Sequence, residues 1–181
     1  MPTVLVILPE GFEELEAVAP IDVLRRAGVS VTVAALGSDR RVTGRNAMVM
    51  EADCLLAELP SPPPTADALF LPGGPGVARL RADPRVRALV LQHHTAGAWI
   101  AAICAAPVVL HDAGLLAGRR YTAHPSVAGE LTAILASERT VIDGKILTSR
   151  GAGTALDFGL ALVAQLTSPA TATEIHRAIC A

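Results

Sequence analysis

Three observations predict an α/β fold with a mostly parallel central sheet. Residues 4–8, Val-Leu-Val-Ile-Leu, form a continuous apolar run of strand length, the pattern of a strand covered on both faces. A helix-length stretch and a second apolar run at 29–35 follow, as in a right-handed parallel crossover. Strand-length and helix-length runs then alternate to the end of the chain, with no internal repeat and no extended low-complexity tract.

Each element has its own signal. Pro9-Glu10-Gly11 ends the first strand. Residues 13–27 read as a helix: Glu13, Glu14 and Glu16 stand at its start and Arg25 and Arg26 in its last turn, both matching the helix dipole, and Gly28 suits the C-cap. Residues 41–43 and 47–50 suggest a short peripheral hairpin, and 54–58 a helical turn. Pro60-Ser61-Pro62-Pro63-Pro64 is a stiff surface connection. Residues 68–71 are a buried strand running into Pro72-Gly73-Gly74-Pro75-Gly76, and 77–82 and 84–97 are helical with a break at Pro84. A strand at 99–103 leads into a helix at 105–115, stopped by Gly114 and Gly118. A short strand is expected at 121–123, ending at His124-Pro125, and a helix at 126–136. Residues 140–142 and 146–149 flank Asp143-Gly144, a hairpin turn signal. Helices at 152–166 and 171–179 close the chain. The sum is a doubly wound, flavodoxin-like α/β sandwich rather than a barrel.

Composition narrows the function. The 181 residues suggest one domain, 1–181, able to bury about 70% of its unfolded surface. Apolar residues make up 51% and aromatics 3%, so the core must be Ala, Val and Leu. A net charge of -2 points to neither nucleic acid nor an acidic membrane surface. Cys54, Cys104 and Cys180 form neither a disulfide framework nor a zinc pattern, so a reduced, cytoplasmic protein is expected. The apolar N-terminus lacks the basic start and cleavage site of a signal peptide, and the longest apolar run, 98–110, is too short to span a bilayer.

In open α/β sheets ligands bind beyond the carboxyl ends of the strands, so the polar groups there are the candidates. Cys104 stands where the apolar strand gives way to small residues and to Pro107, which suits a first helical turn. A tight turn of this kind pushes a side chain into the crevice, as in a nucleophile elbow, and the following helix start favours thiolate over thiol. The plainer reading is a small buried cysteine inside an apolar strand. Gly73-Gly74 can offer backbone donors or be only a turn; the Lys-Ser/Thr ending of a phosphate loop is missing. Of Glu13, Glu14 and Glu16, at most one or two can reach the rim. His124 ends a predicted strand, whereas His93, His94, His111 and His176 read as surface residues. Cys54 and Cys180 lack an activating neighbourhood, and the histidines show no metal-ligand spacing.

Six segments taken together resemble a known family: Gly11-Phe12-Glu13-Glu14-Leu15-Glu16, Leu71-Pro72-Gly73-Gly74, Ala101-Ala102-Ile103-Cys104-Ala105-Ala106-Pro107, His124-Pro125, Leu147-Thr148-Ser149-Arg150-Gly151 and Gly153-Thr154. In this order the chain resembles the ThiJ/PfpI superfamily, nearest its DJ-one branch. The resemblance implies a flavodoxin-like three-layer sandwich that forms a homodimer. It implies Cys104 as a reactive, oxidation-sensitive thiolate, Glu16 as a protonated carboxyl on the cysteine sulfur, and His124 as the nearby imidazole. Gly74 and Ala105 would supply backbone N–H donors for an oxyanion. Asp22, Arg26 and Arg45 match positions at the site rim and dimer contact. Two departures stand out: Ala106 occupies a position where glycine is frequent, and the chain ends soon after Ile179, where the animal relatives carry a further helix, so a more open site is expected.

The resemblance implies an enzyme without cofactor or metal. Cys104 would attack a 2-oxoaldehyde such as methylglyoxal or glyoxal, or an early glycation adduct, and Glu16 or His124 would move protons to yield the hydroxy acid. The alternative is a redox sensor or stress chaperone switched by oxidation of Cys104 to sulfinic acid. A third reading, cysteine peptidase, is disfavoured because those relatives place histidine directly after the nucleophile, where this chain has Ala105.

Overall fold

The computed structural model describes residues 1–181. Its strands are β1 (Thr3–Leu8), β2 (Ser30–Ala35), β3 (Arg41–Thr43), β4 (Val49–Glu51), β5 (Cys54–Leu55), β6 (Ala68–Leu71), β7 (Trp99–Ile103), β8 (Thr140–Asp143) and β9 (Ile146–Ser149). Its helices are α1 (Glu14–Arg26), α2 (Val77–Ala82), α3 (Pro84–Thr95), α4 (Pro107–Asp112), α5 (Ala155–Leu166) and α6 (Pro169–Ala178). Seven strands form one sheet in the order β5-β2-β1-β6-β7-β9-β8, and β3 pairs with β4 separately. Every pairing in the large sheet is parallel except β8 with β9.

Alternation along each strand builds the three layers. Val4, Val6 and Leu8 of β1 pack on one side with α1, α5 and α6, where Phe70 meets Phe158 at 5.3 Å between ring centroids. Leu5 and Ile7 point to the other side, with Leu80 of α2, Val86 and Leu89 of α3 and Leu110 of α4. Truncating a fully buried leucine such as Leu80 or Leu110 to alanine costs about 2–5 kcal/mol. The architecture is the predicted flavodoxin-like α/β sandwich, and no helix is long and apolar enough to cross a membrane.

Four expectations are corrected. Residues 121–123 form no strand, because β9 is already flanked by β7 and β8 and offers no free edge. The Thr122 N–H instead donates to Thr148 Oγ1 at 3.0 Å. Residues 126–136 form no α-helix: a 3-10 turn at Pro125–Val127 gives way to irregular turns that fold back, with Leu135 N–H donating to the Tyr121 carbonyl. The helical turn expected at 54–58 is present only at Leu56–Glu58, as a 3-10 turn, because Ala34 and Ala35 of β2 supply an edge that takes Cys54 and Leu55 as a short strand. His93 is fully buried, not at the surface. Its Nε2 accepts from the Ala66 N–H at 3.3 Å while Nδ1 faces the Leu89 carbonyl at 2.8 Å, so the ring is held neutral, and burial lowers its pKa.

Candidate active site

The strand order reverses between β1 and β6, and the loops after those strands meet there. Glu13 N–H donates to the Gly73 carbonyl at 3.0 Å, and Gly76 N–H to the Gly11 carbonyl at 2.9 Å. Gly74 has φ +94, and a Cβ on it would lie 2.6 Å from Glu13 N and 2.7 Å from the Gly11 carbonyl oxygen, so only glycine closes this loop. Next to it, Cys104 leaves β7 with φ 64, a left-handed conformation rare for a residue with a Cβ. Cys104 N–H still donates to the Ser149 carbonyl at 2.9 Å, anchoring the turn to β9. The predicted helix at 105–115 therefore begins only at Pro107.

Glu16 reaches this point from the first turn of α1, where the Glu13 carboxylate caps its N–H at 2.8 Å. The Glu16 side chain is 1% exposed. Its Oε2 is buried with no donor in hydrogen-bonding geometry. The polar groups that act on this carboxyl are the Cys104 thiol and the Gly73 N–H. Burial pushes the Glu16 carboxyl up to about 7, the neighbouring Glu13 charge adds to the rise, and the cysteine contact opposes it. Burial, and then the Glu16 carboxylate, push the Cys104 thiol up to about 12 against the pull of the Gly74 and Ala105 N–H groups. The helix start favours the thiolate, but burial and the Glu16 charge outweigh it. Sulfur and carboxyl titrate as a pair, and a charge on either one raises the other.

The second side of the site is irregular. His124 N–H donates to the Cys104 carbonyl at 2.8 Å. Its Nδ1 accepts from Ser126 N–H at 3.1 Å and lies 2.8 Å from Ser126 Oγ, which fixes the ring. The opposite ring edge lies against Gly151: a Cβ placed there would be 3.4 Å from His124 Cδ2, 3.6 Å from Glu16 Oε1 and 4.0 Å from Cys104 Sγ. These three side chains thus converge around a residue that has none. They line a cavity of about 500 Å³ with Gly74, Ala105, Arg45, Arg81, Ser126 and Glu130 among its walls.

Of the sequence candidates, Cys104, Glu16, His124, Gly74, Ala105 and Arg45 come together. Asp22 and Arg26 instead pair with each other at 2.7 Å on the exposed face of α1, away from the cavity. Sequence reasoning assigned no role to Gly151 or Ser126. Gly151 falls within one of the six segments, but nothing in the sequence says that a side chain there would meet His124, Glu16 and Cys104.

A half-buried cysteine, a buried carboxyl and an imidazole gathered at the carboxyl ends of a mostly parallel sheet define an α/β protein with a thiol site in a surface cavity. The chain belongs to the DJ-1/PfpI family, whose model matches residues 2–165. It is 40% identical to Protein DJ-1 homolog B of Arabidopsis thaliana over 165 residues, which is 90% of this chain but only 37% of that longer protein. It is 31% identical over 175 residues to the protein named glutathione-independent glyoxalase DJR-1.2 of Caenorhabditis elegans, covering 95% of this chain and 92% of the relative. The crystal structure of Drosophila melanogaster DJ-1beta matches with a TM-score of 0.93 at 35% identity, covering 99% of this chain and 97% of that one.

Proposed function

We propose that the chain is a cysteine-dependent, cofactor-free glyoxalase or deglycase that acts on 2-oxoaldehydes or their early glycation adducts. The observation that carries this reading is the buried, unpartnered Glu16 Oε2 beside the Cys104 thiol, with the N–H groups of Gly74 and Ala105 pulling that thiol toward the thiolate. A carboxyl held at about 7 can keep its proton near neutrality, and a proton on Oε2 turns an orphaned acceptor into a donor. The name of the nematode relative supports the same chemistry.

The attacking form is the minor state in which the Cys104 proton has passed to Glu16, leaving a thiolate beside a carboxylic acid, a state that the N–H groups of Gly74 and Ala105 favour. The sulfur adds to the aldehyde carbon of methylglyoxal, and the alkoxide takes up a proton to give a hemithioacetal. A base, Glu16 or His124, removes the proton from that carbon, and a proton returns to the neighbouring ketone carbon through an enediol. The product is a thioester of lactate. Water cleaves it, releasing lactate and the thiol, so the overall change is addition of one water to methylglyoxal. The Gly74 and Ala105 N–H groups suit the charge that develops on oxygen. The test is lactate formation from methylglyoxal without glutathione. Cys104→Ala is expected to lower it by at least about a thousandfold, and activity surviving that change would sink the reading.

The same donors favour a second reading, a sensor in which Cys104 is oxidised to sulfinic acid. A protonated Glu16 would donate to a sulfinate oxygen as well as to a thiolate. Mild peroxide followed by mass spectrometry separates the two readings: a sensor gains oxygen at Cys104 before Cys54 or Cys180. All three cysteines are unbonded, which supports a reducing, cytoplasmic setting.

The homodimer is also proposed. Leu15 and Val18 of α1 and Met48 and Val49 of the hairpin are large apolar residues left exposed. Glu14 joins the two elements by accepting from Asn46 N–H at 2.7 Å and Nδ2 at 3.0 Å. Arg45, in the same hairpin, lines the cavity, so a second copy on this face would border the site mouth.

A further inference from the structure

Arg81 sits outside every motif of the resemblance, yet its guanidinium is the one cation in the protein paired with two different carboxylates. Nε donates to Asp112 Oδ2 at 2.7 Å and Nη2 to Asp112 Oδ1 at 3.0 Å. Nη1 donates to Glu130 Oε1 at 3.1 Å, and Nη2 lies 2.8 Å from Glu130 Oε2. A guanidinium has five N–H donors, and carboxylates occupy most of them. Arg81 lines the cavity but has little capacity left for an anionic substrate. Arg45, across the cavity, has no carboxylate within ion-pair distance.

The three members of this triad lie on three different elements, each downstream of a residue of the site. Arg81 is in α2, seven residues after Gly74; Asp112 ends α4, eight residues after Cys104; Glu130 lies six residues after His124. Successive turns, Val127 N–H to the His124 carbonyl and Glu130 N–H to the Val127 carbonyl, carry the position of Glu130 back to His124. The His124 segment has no sheet pairing of its own. We propose that Arg81 is a positioning residue: through Glu130 and Asp112 it fastens the His124 segment to the helices that follow the Gly74 loop and Cys104, and so sets the imidazole against the sulfur. This inference rests on the proposed reaction for its kinetic consequence, while its mechanical content stands on the geometry alone.

The test compares Arg81→Ala, Arg81→Lys, His124→Ala and the Arg81→Ala/His124→Ala double variant in the full chain. Arg81→Ala is expected to lower kcat for methylglyoxal on the order of tenfold with KM nearly unchanged, since a small misplacement of a catalytic group has effects of this size. Arg81→Lys, which keeps the charge but loses the fork, should fall between. In the His124→Ala background Arg81→Ala should have no further effect, because it acts through the missing ring. Hydrogen exchange should quicken over residues 124–131 and not over 73–76, and alkylation of Cys104 by iodoacetamide should keep its wild-type rate. Multiplicative losses in the double variant, a rise in KM alone, or faster exchange throughout the protein would each overturn the proposal. If wild-type protein forms no lactate, the proposed function fails, and the exchange and alkylation measurements still decide whether Arg81 is the fastener.

Discussion

The two walls of the Cys104 cavity are made in different ways. One wall is backbone: the loops after β1 and β6 are laced together by main-chain hydrogen bonds, the turn after β7 is tied to β9 in the same way, and glycines let these segments approach where any Cβ would collide. The other wall, residues 121–139, has no strand and no α-helix. Two main-chain bonds, His124 N–H on the Cys104 carbonyl and Leu135 N–H on the Tyr121 carbonyl, are supplemented by side-chain ties: Thr122 N–H on Thr148 Oγ1, Ala133 N–H on Tyr121 Oη, and the ion triad at Glu130. A wall of paired backbone at a sheet end is rigid and intolerant of added atoms. A wall of turns is adjustable, and its geometry depends on a few polar ties. The sulfur and its acid therefore belong to the rigid wall, and the imidazole to the adjustable one.

Adding a single methyl to the rigid wall is the largest way to break this contrast. A Cβ on Gly73 would collide with Glu16 Oε2 and lie 2.5 Å from Cys104 Cβ, with the Ile103 carbonyl at 3.0 Å behind it. Gly73→Ala is expected to abolish turnover to the same degree as Cys104→Ala, by about a thousandfold or more, and to slow iodoacetamide alkylation of the sulfur. An unchanged alkylation rate would show the wall to be softer than described. The adjustable wall should respond differently. His124→Ala is expected to lower turnover by about a hundredfold, the range for a proton-transfer group, while leaving alkylation of Cys104 intact.

A third effect is read on stability. The Glu16 carboxyl binds its proton up to about 7 in the folded protein, against a reference value of 4.5. Between those values the folded state holds more protons than the unfolded state, so stability must fall as pH rises from about 4.5 to 7 and then level off. The drop is on the order of 3 kcal/mol. Urea unfolding at pH 5 and pH 7.5 should show it in the wild type, and Glu16→Gln should remove most of it. An equal drop in the variant would assign the effect to another group.

The rigid wall was legible in the sequence, and the adjustable wall was not. Apolar runs of strand length, acidic and basic helix ends and the glycine pair placed β1, β6 and β7 and the turn at Cys104 within a residue or two. Those signals are local, and the ladder that satisfies them is regular. Residues 121–136 carry equally suggestive local patterns, yet both expected elements are absent. Whether Tyr121-Thr122-Ala123 becomes a strand depends on a free edge, and β9 has none once β8 folds back through Asp143-Gly144. His93 misled for a related reason: its burial depends on the loop at Ala66 arriving over α3, which a helical pattern cannot foretell. The convergence of Cys104, Glu16 and His124 could be named from the resemblance. That Gly151 leaves room where these three side chains meet, and that Arg81 pairs with both Asp112 and Glu130, needed the folded geometry.

The claim on which the rest depends is that Glu16 keeps its proton beside the sulfur far above the usual carboxyl range. Carbon-13 NMR of protein labelled at the glutamate side-chain carboxyl, followed from pH 3 to 9, tests it directly. One carboxyl titrating near 7, absent in Glu16→Gln, is the expected result. Complete titration of every glutamate below about pH 5, near the ordinary carboxyl value, would contradict it and leave the Cys104 site without its acid.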